Sequence, residues 1–354
     1  SGTPHIAILS VAEPAHDVIQ AGLEQPLRDL ARAFDDAARG EASAILVRGE
    51  LGTGKSTLVA HACNLALERH PDAVVLWGRA GDDDQPHGPF RRIIRQMLGD
   101  PDPASAEYQL APSNRDAVND RTGLAARALV DEAPLLTAVT LSSSDDWGPA
   151  VARLPDRSVA ESLASLASTE PDDSLRAVSG CEQFYRLIAR YAAEGLVILV
   201  FDDLQRMDTA TLSSLEHLLS RIQPRRNLKL AIVGTCLPGR QLDDDADELS
   251  HLIGSFQRIF PNGTVDLDAT TVGEAADLFA AEALDRAELP ADPATVDALV
   301  RRTAGNPLFI AEVVDTLREQ DATSADITSN IESAIPQRIA DDLNALARRL
   351  PDDL

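Results

Sequence analysis

One stretch near the start of the chain limits its fold more than any other: Val47-Arg48-Gly49-Glu50-Leu51-Gly52-Thr53-Gly54-Lys55-Ser56-Thr57. Gly49, Gly54, Lys55 and Ser56 fill every fixed position of the pattern G-x-x-x-x-G-K-[ST]. Ahead of it, Ala44-Ile45-Leu46-Val47 is short, apolar and β-branched, which predicts a buried strand. Behind it, Thr57 to Leu67 carries helix formers with apolar residues at helical spacing. A strand, a glycine turn and a helix N-terminus together make an anion site, because backbone N–H groups converge there and the helix dipole adds partial positive charge. The residues expected to cradle a nucleotide are therefore Gly49, Glu50, Leu51, Gly52, Thr53, Gly54, Lys55, Ser56 and Thr57. Lys55 offers a point charge to β- and γ-phosphates, and the Ser56 hydroxyl can ligate Mg²⁺. Glu50 has two readings, a water- or partner-sensing role and simple solvation.

The rest of the chain repeats the strand–helix theme. Ala73–Trp77, Leu196–Phe201, Leu228–Thr235 and Gly263–Leu267 read as further strands, with helical patterns between several of them. That alternation predicts an α/β domain built on a parallel sheet. Leu196–Phe201 is the most apolar run and predicts a central strand buried on both faces. Asp202 and Asp203 close it. In an open parallel sheet ligands gather at the carboxyl ends of strands, so both carboxylates are expected beside the glycine turn. Asp202 would hold Mg²⁺ directly or through water, and Asp203 would orient or deprotonate the attacking water. Thr235, ending another strand, is either a γ-phosphate or water contact or a polar residue closing a buried strand.

Composition narrows the partners. The 354 residues carry a net charge of −25, with 44% hydrophobic and 25% charged residues. Gripping a nucleic-acid backbone needs a basic face, so no direct nucleic-acid contact is expected, and an anionic membrane surface would be repelled. No run is long and apolar enough to span a membrane and no signal peptide opens the chain, so the expected location is cytoplasmic. Cys63, Cys181 and Cys236 lie far apart and read as small hydrophobes rather than disulfides or metal ligands. A chain that begins Ser1-Gly2-Thr3 suggests an excised fragment or a cleaved tag.

The expected divisions are an N-terminal arm at 1–22, a nucleotide-binding α/β domain at 23–268 and a helical lid at 269–320. Residues 99–175 form an insertion in the α/β domain, mixing Asp-Pro and Ser-rich pieces with short helices. In the lid, Thr271 and Glu274 fit the N-cap and N3 positions of a capping box. A further helix is expected from about Pro336. Gly305-Asn306-Pro307-Leu308-Phe309 reads by itself as a turn and a proline in a first helical turn.

Taken in order, several segments resemble the STAND branch of AAA+-like P-loop ATPases. These are Gly49–Ser56, His87-Gly88-Pro89-Phe90, Phe201-Asp202-Asp203-Leu204-Gln205-Arg206-Met207-Asp208, Gly234-Thr235 and Gly305–Phe309. The pattern is most similar to the ATPase modules of large LuxR-type (MalT-like) and SARP-type bacterial regulators, over roughly residues 25 to 350. The resemblance implies an ATP/ADP switch with Mg²⁺: a P-loop NTPase parallel sheet, a helical lid and the start of a winged-helix domain at 330–354. It implies self-association in the ATP state, an inducer or protein partner, and an effector domain. It also brings Asn306 and Pro307 to the adenine. Two departures accompany it. The family has an aromatic residue and then an arginine after Gly234-Thr235, where this chain has Cys236-Leu237, with Arg240 as a possible substitute. The Gly-Arg pair before the first helix is degraded near Glu24-Gln25-Pro26. Both point to slow hydrolysis. The competing expectations are a nucleotide-bound scaffold without useful turnover, an ATPase module attached to a cyclase or kinase, and a metabolic P-loop kinase. The helical C-terminal part and the lack of a basic acceptor pocket speak against the last.

Overall fold

The structure, a computed structural model, describes residues 23–80, 87–100, 110–140, 151–154, 156–168, 176–222, 227–238, 247–267, 269–319, 327 and 330–331. The chain forms two compact units. One comprises Leu27–Gly49 and Lys55–Asp266. The other comprises the chain from Leu267 onward, the turn Glu50–Gly54 and the N-terminal residues to Pro26.

The first unit is built on a sheet. Helix α1 (Glu24–Ala38) precedes strand β1 (Ser43–Gly49), and α2 (Lys55–Arg69) leads to β2 (Val74–Arg79). Helices α3 (Gly88–Met97), α4 (Pro112–Asp120), α5 (Thr122–Glu132), α6 (Pro134–Thr140), α7 (Arg157–Ala167) and α8 (Arg176–Tyr191) follow. Then come β3 (Val197–Asp202), α9 (Thr209–Arg221), β4 (Leu230–Cys236), α10 (Asp247–Ile259) and β5 (Thr264–Leu267). The five strands lie in the order β2-β3-β4-β1-β5 and run parallel. All six residues of β3 and all seven of β4 are buried, as expected for strands covered by helices on both faces.

The order matters because β4 lies between the glycine-turn strand and the acid strand. Val47 pairs with Thr235, and Phe201 pairs with Gly234, so Thr235 sits level with Asp202. Gly234 permits this spacing: a Cβ there would lie 2.9 Å from Leu204 Cδ1 and 3.3 Å from both Leu46 and Phe256. Any larger residue would push these side chains apart.

The edge strand β2 is closed by side chains. The Gln96 amide accepts from Trp77 N–H at 2.9 Å and donates to Trp77 C=O at 2.7 Å. Asn114 does the same for Val75, at 2.8 and 3.0 Å. Two amides thus take the hydrogen bonds a neighbouring strand would supply, which blunts an otherwise open edge.

The stretch 99–175 is more than loops among its described residues. Ala125, Leu129, Ala133, Leu136, Leu163 and Ala167 are buried in the main core with the sheet-covering helices. Helices α5 and α6 are separated at Ala133, whose backbone leaves the helical region (φ −136°, ψ 45°). Helix α10, an element beyond those expected from sequence, packs Leu252 and Phe256 against the same core.

The second unit holds α11 (Ala269–Arg286), α12 (Pro293–Thr303) and α13 (Pro307–Glu319) around their own core of Leu284, Leu299, Ile310, Val313 and Leu317. Asp292 caps α12, accepting from Ala294 N–H and Thr295 N–H. Helix α11 begins at Ala269, so Thr271 lies inside it and is not its N-cap. Alanine, the best helix former, carries the helix back past the expected start. The N-terminal arm, Arg240, the helix expected from Pro336 and all but two residues of the expected winged-helix segment lie outside the described residues.

Candidate functional site

The sequence of β1 ends by delivering Gly49 and, after the turn, Lys55 at the first position of α2. Lys55 is 6% exposed, and its Nζ donates to the Gly49 carbonyl at 2.9 Å. Desolvation lowers its pKa, against the opposing charges of Asp203 and Asp202. The ammonium is thus held among few waters, with both carboxylates close enough to act on it.

Asp202 is 1% exposed at the end of β3. Its Oδ1 accepts from Ser56 Oγ at 2.8 Å and from Thr235 Oγ1 at 2.6 Å. Three strands therefore place one oxygen from each side of the site in contact: Ser56 follows β1, Asp202 ends β3, and Thr235 comes from β4 between them. Thr235 is fully buried, and its oxygen also accepts the Asp203 N–H at 2.8 Å. Its hydroxyl is consequently committed on both sides, to Asp202 and to the Asp203 backbone.

Asp203 is half-buried and adopts a left-handed conformation, φ 58° and ψ 58°. Aspartate tolerates this region better than most residues. The turn that follows, Leu204–Arg206, is anchored by fully buried Leu204. Within it, Gln205 Nε2 donates to Asp203 Oδ1 at 3.0 Å. The local sequence assigns Gln205 no role; an amide two residues from an acid is the one signal it offers. Asp208 ends the segment as the N-cap of α9, accepting from Thr211 N–H at 2.9 Å.

The His87-Gly88-Pro89-Phe90 segment starts α3. His87 is left-handed (φ 61°), its Nδ1 lies 3.4 Å from Ser214 Oγ, and burial lowers its pKa while Asp208 opposes the shift. Phe90 packs against Phe184 and Phe201, tying this segment to the acid strand.

The donor chemistry suits magnesium. Ser56 Oγ and Asp202 Oδ1 are hard oxygen ligands 2.8 Å apart, a separation over which one cation can bind both. Among the described residues there is no group of three or more His, Cys, Asp or Glu that would hold a metal alone. Mg²⁺ takes one or two protein oxygens and completes its shell with phosphates and water. Gly54 has φ 81°, a left-handed conformation that glycine adopts without strain.

All but one of the remaining expected residues belong to the second unit. Glu50 and Leu51 are exposed, Gly52 has φ 80°, and the buried Thr53 hydroxyl donates to the Glu50 carbonyl at 3.0 Å. Asn306 Nδ2 donates to the Leu51 carbonyl at 2.8 Å, and Pro307 is the first residue of α13. Thr57 is exposed in the first turn of α2, in the sheet unit.

A glycine turn on a parallel sheet, a buried lysine at a helix start and a hydroxyl–carboxylate pair define a P-loop nucleotide-binding α/β domain. The sequence matches the AAA ATPase domain over residues 21–233, more than half of the chain. The chain belongs to that family and is a nucleotide-binding AAA+ ATPase domain. No curated protein matches it. Among solved structures, it is similar to the Aeropyrum pernix ORC1 protein in complex with DNA, with 17% identity and a TM-score of 0.46. That match covers 94% of this chain and 69% of the other. It is also similar to Drosophila ORC bound to DNA, with 13% identity and a TM-score of 0.38, covering 94% and 68%. Among the described residues no helix is long and apolar enough to cross a membrane.

Proposed function

We propose that this domain is the ATP/ADP switch of a STAND-class bacterial regulator of the LuxR or SARP type. In this reading ATP favours self-association, and the nucleotide state controls an effector domain in response to an inducer or protein partner. The observation that carries the nucleotide chemistry is the convergence of Ser56 and Thr235 on Asp202 Oδ1, with Lys55 beside them.

Each residue has a role in this proposal. Backbone N–H groups of Gly49–Ser56 and Thr57 bind the phosphates, and Lys55 exchanges its bond to the Gly49 carbonyl for β- and γ-phosphate oxygens. Ser56 and Asp202 would hold Mg²⁺, which when bound would supply positive charge to offset that of the phosphates. Asp203 aligns the attacking water and accepts its proton. Thr235, engaged on both sides, is a positioning residue that fixes the two aspartates. Asn306 and Pro307 are read as adenine-contacting residues and residues 269–320 as the helical lid, as the family resemblance implies. Leu237, standing where the related ATPases carry arginine, favours slow hydrolysis, because such a charge is worth about 10³–10⁵ in rate. A net charge of −25 disfavours direct contact between this chain and nucleic acid and suits a cytoplasmic protein.

Titration with a fluorescent ATP analogue in Mg²⁺ tests the reading. Lys55→Ala should abolish tight binding while leaving the circular dichroism spectrum intact; unchanged affinity would remove the site assignment.

A further inference from the structure

We propose that the cleft bounded by α5, the start of α7 and the end of α8 binds a small linear zwitterion whose two charges lie about 10 Å apart, the span of an unblocked tripeptide. The cleft lies within the sheet unit and includes none of the nucleotide-site residues, so this binding stands apart from the proposed function. Its volume is about 470 Å³, in the range of small-molecule sites. Leu124, Arg127, Ala128 and Asp131 line it from α5, at the i, i+3, i+4, i+7 spacing of a single helical stripe. Leu154 and Val159 add to its apolar surface from the other side of the cleft.

The charges of the cleft are sorted by position. Helices α5 and α8 run antiparallel. Arg121, just before α5, lies over the Tyr191 ring at 5.7 Å, while Gln183, near the start of α8, accepts from the Leu135 and Leu136 N–H groups just past the end of α5. Arg190 therefore stands where α5 begins, with Gly123 and Leu124, and Asp131 and Glu132 stand at the other end. From Gly123 to Asp131 the helix rises about 12 Å at roughly 1.5 Å per residue. Between the ends, Arg127 Nη2 donates to Asp156 Oδ2 at 3.0 Å. Asp156 Oδ1 is taken by the Ser158 hydroxyl at 2.7 Å and by the N–H groups of Ser158 and Val159. That pair is neutral and already committed to itself and to the cap of α7. The Arg190 guanidinium and the Asp131 and Glu132 carboxylates, by contrast, make no hydrogen bond or ion pair among the described residues. One cation at one end and two anions at the other leave a ligand of single sign repelled at one of them. A carboxylate at Arg190 and an ammonium at Asp131 and Glu132 satisfy both. Three extended residues at roughly 3.3–3.6 Å each span about 10–11 Å, whereas a single amino acid reaches only one end.

The test titrates trialanine against the whole chain by ligand-observed NMR. A Kd on the order of 10⁻⁴ to 10⁻³ M is expected for a ligand of this size. Trialanine amide, N-acetyl-trialanine and free alanine should each bind roughly 5–20-fold more weakly, because each loses one charged contact or the reach to it. Two variants assign the ends, and they touch exposed Arg190 and Asp131 and half-buried Glu132, so neither removes core packing. Arg190→Gln should weaken trialanine as the amide does and become indifferent to the amide, while still responding to acetylation. Asp131→Asn combined with Glu132→Gln should do the converse. No binding of trialanine up to about 10 mM, affinity indifferent to both blocks or to both variants, or the reverse pairing of block with variant would each overturn the proposal.

Discussion

Thr235→Val replaces one hydroxyl by a methyl of nearly the same shape, and the structure allows its cost to be worked out. The hydroxyl donates to the carboxylate of Asp202 at 2.6 Å, and a hydrogen bond to a charged group contributes about 1.5–3 kcal/mol. It also accepts the Asp203 N–H at 2.8 Å, and stranding a buried donor costs about 1–3 kcal/mol. Asp203 is half-buried, so water partly satisfies its freed N–H and the second figure falls to the lower part of its range. The sum is about 3 kcal/mol, which for a unit of this size corresponds to a fall in Tm of roughly 6–12 °C. Thr235→Ser is the control. It keeps both hydrogen bonds and loses one methyl, at about 1 kcal/mol.

Function should follow the same division. The tether to Thr235 helps to keep Asp203 at φ 58°, a region that costs roughly 1–2 kcal/mol for most residues. In Thr235→Val the carboxylate is free to turn away from the site, so kcat should drop while nucleotide affinity changes little. In Thr235→Ser both should stay near wild type. Thermal unfolding by circular dichroism and steady-state phosphate release give the two readouts. A valine variant as stable and as active as the serine variant would refute the positioning role of this hydroxyl.

Two further outcomes follow from other parts of the sheet unit. Gln96→Leu strips both hydrogen bonds from the buried backbone of Trp77 and should destabilise by about 2–4 kcal/mol in urea unfolding; a loss below about 0.5 kcal/mol would mean the edge needs no such cap. His87 faces Asp208, Ser214 and Phe90, and its pKa is lowered by burial, so the native state binds its proton more weakly than the unfolded chain. Stability should therefore rise with pH across the window that ends near 6.5, with the full penalty below the folded-state value. His87→Asn, which tolerates the left-handed backbone, should lose less Tm between pH 7 and pH 5 than wild type; equal losses would assign the acid sensitivity elsewhere.

Much of the fold was legible because it is written in local sequence. Buried strands announce themselves as apolar β-branched runs, and Val197–Asp202 departs from its expected bounds by one residue at each end. The P-loop is similar: its function depends on backbone conformation over a few consecutive residues, so the spacing of Gly49, Gly54 and Lys55 specifies it. What was harder to read depends on tertiary partners. Helix Asp247–Ile259 carries its apolar residues on one stripe, but it follows a polar segment, Gln241 to Ala246, whose composition reads as a loop. The packed helices of the 99–175 stretch follow an Asp-Pro piece and are interrupted by a Ser-rich one, and only their shared core makes them one layer.

The site divides in the same way, and its geometry explains why. Asp202 could be named from sequence because a strand end carries its own side chain to the sheet's carboxyl edge. Thr235 was ambiguous because its role is set by register. Val47 pairs with Thr235 across β1 and β4, and no pattern within β4 itself specifies that pairing. Only with β4 inserted between β1 and β3 does a threonine at its end meet Asp202 Oδ1 and the Asp203 N–H together. Gln205 is harder still. A glutamine after a strand is unremarkable until the left-handed turn at Asp203 folds its amide back onto the carboxylate. That turn depends in turn on the Thr235 tether and on Leu204, whose contact with the bare Cα side of Gly234 leaves room for nothing larger. The acid strand supplies the charges, but it is the neighbouring strand, through one hydroxyl and one missing side chain, that fixes where they point.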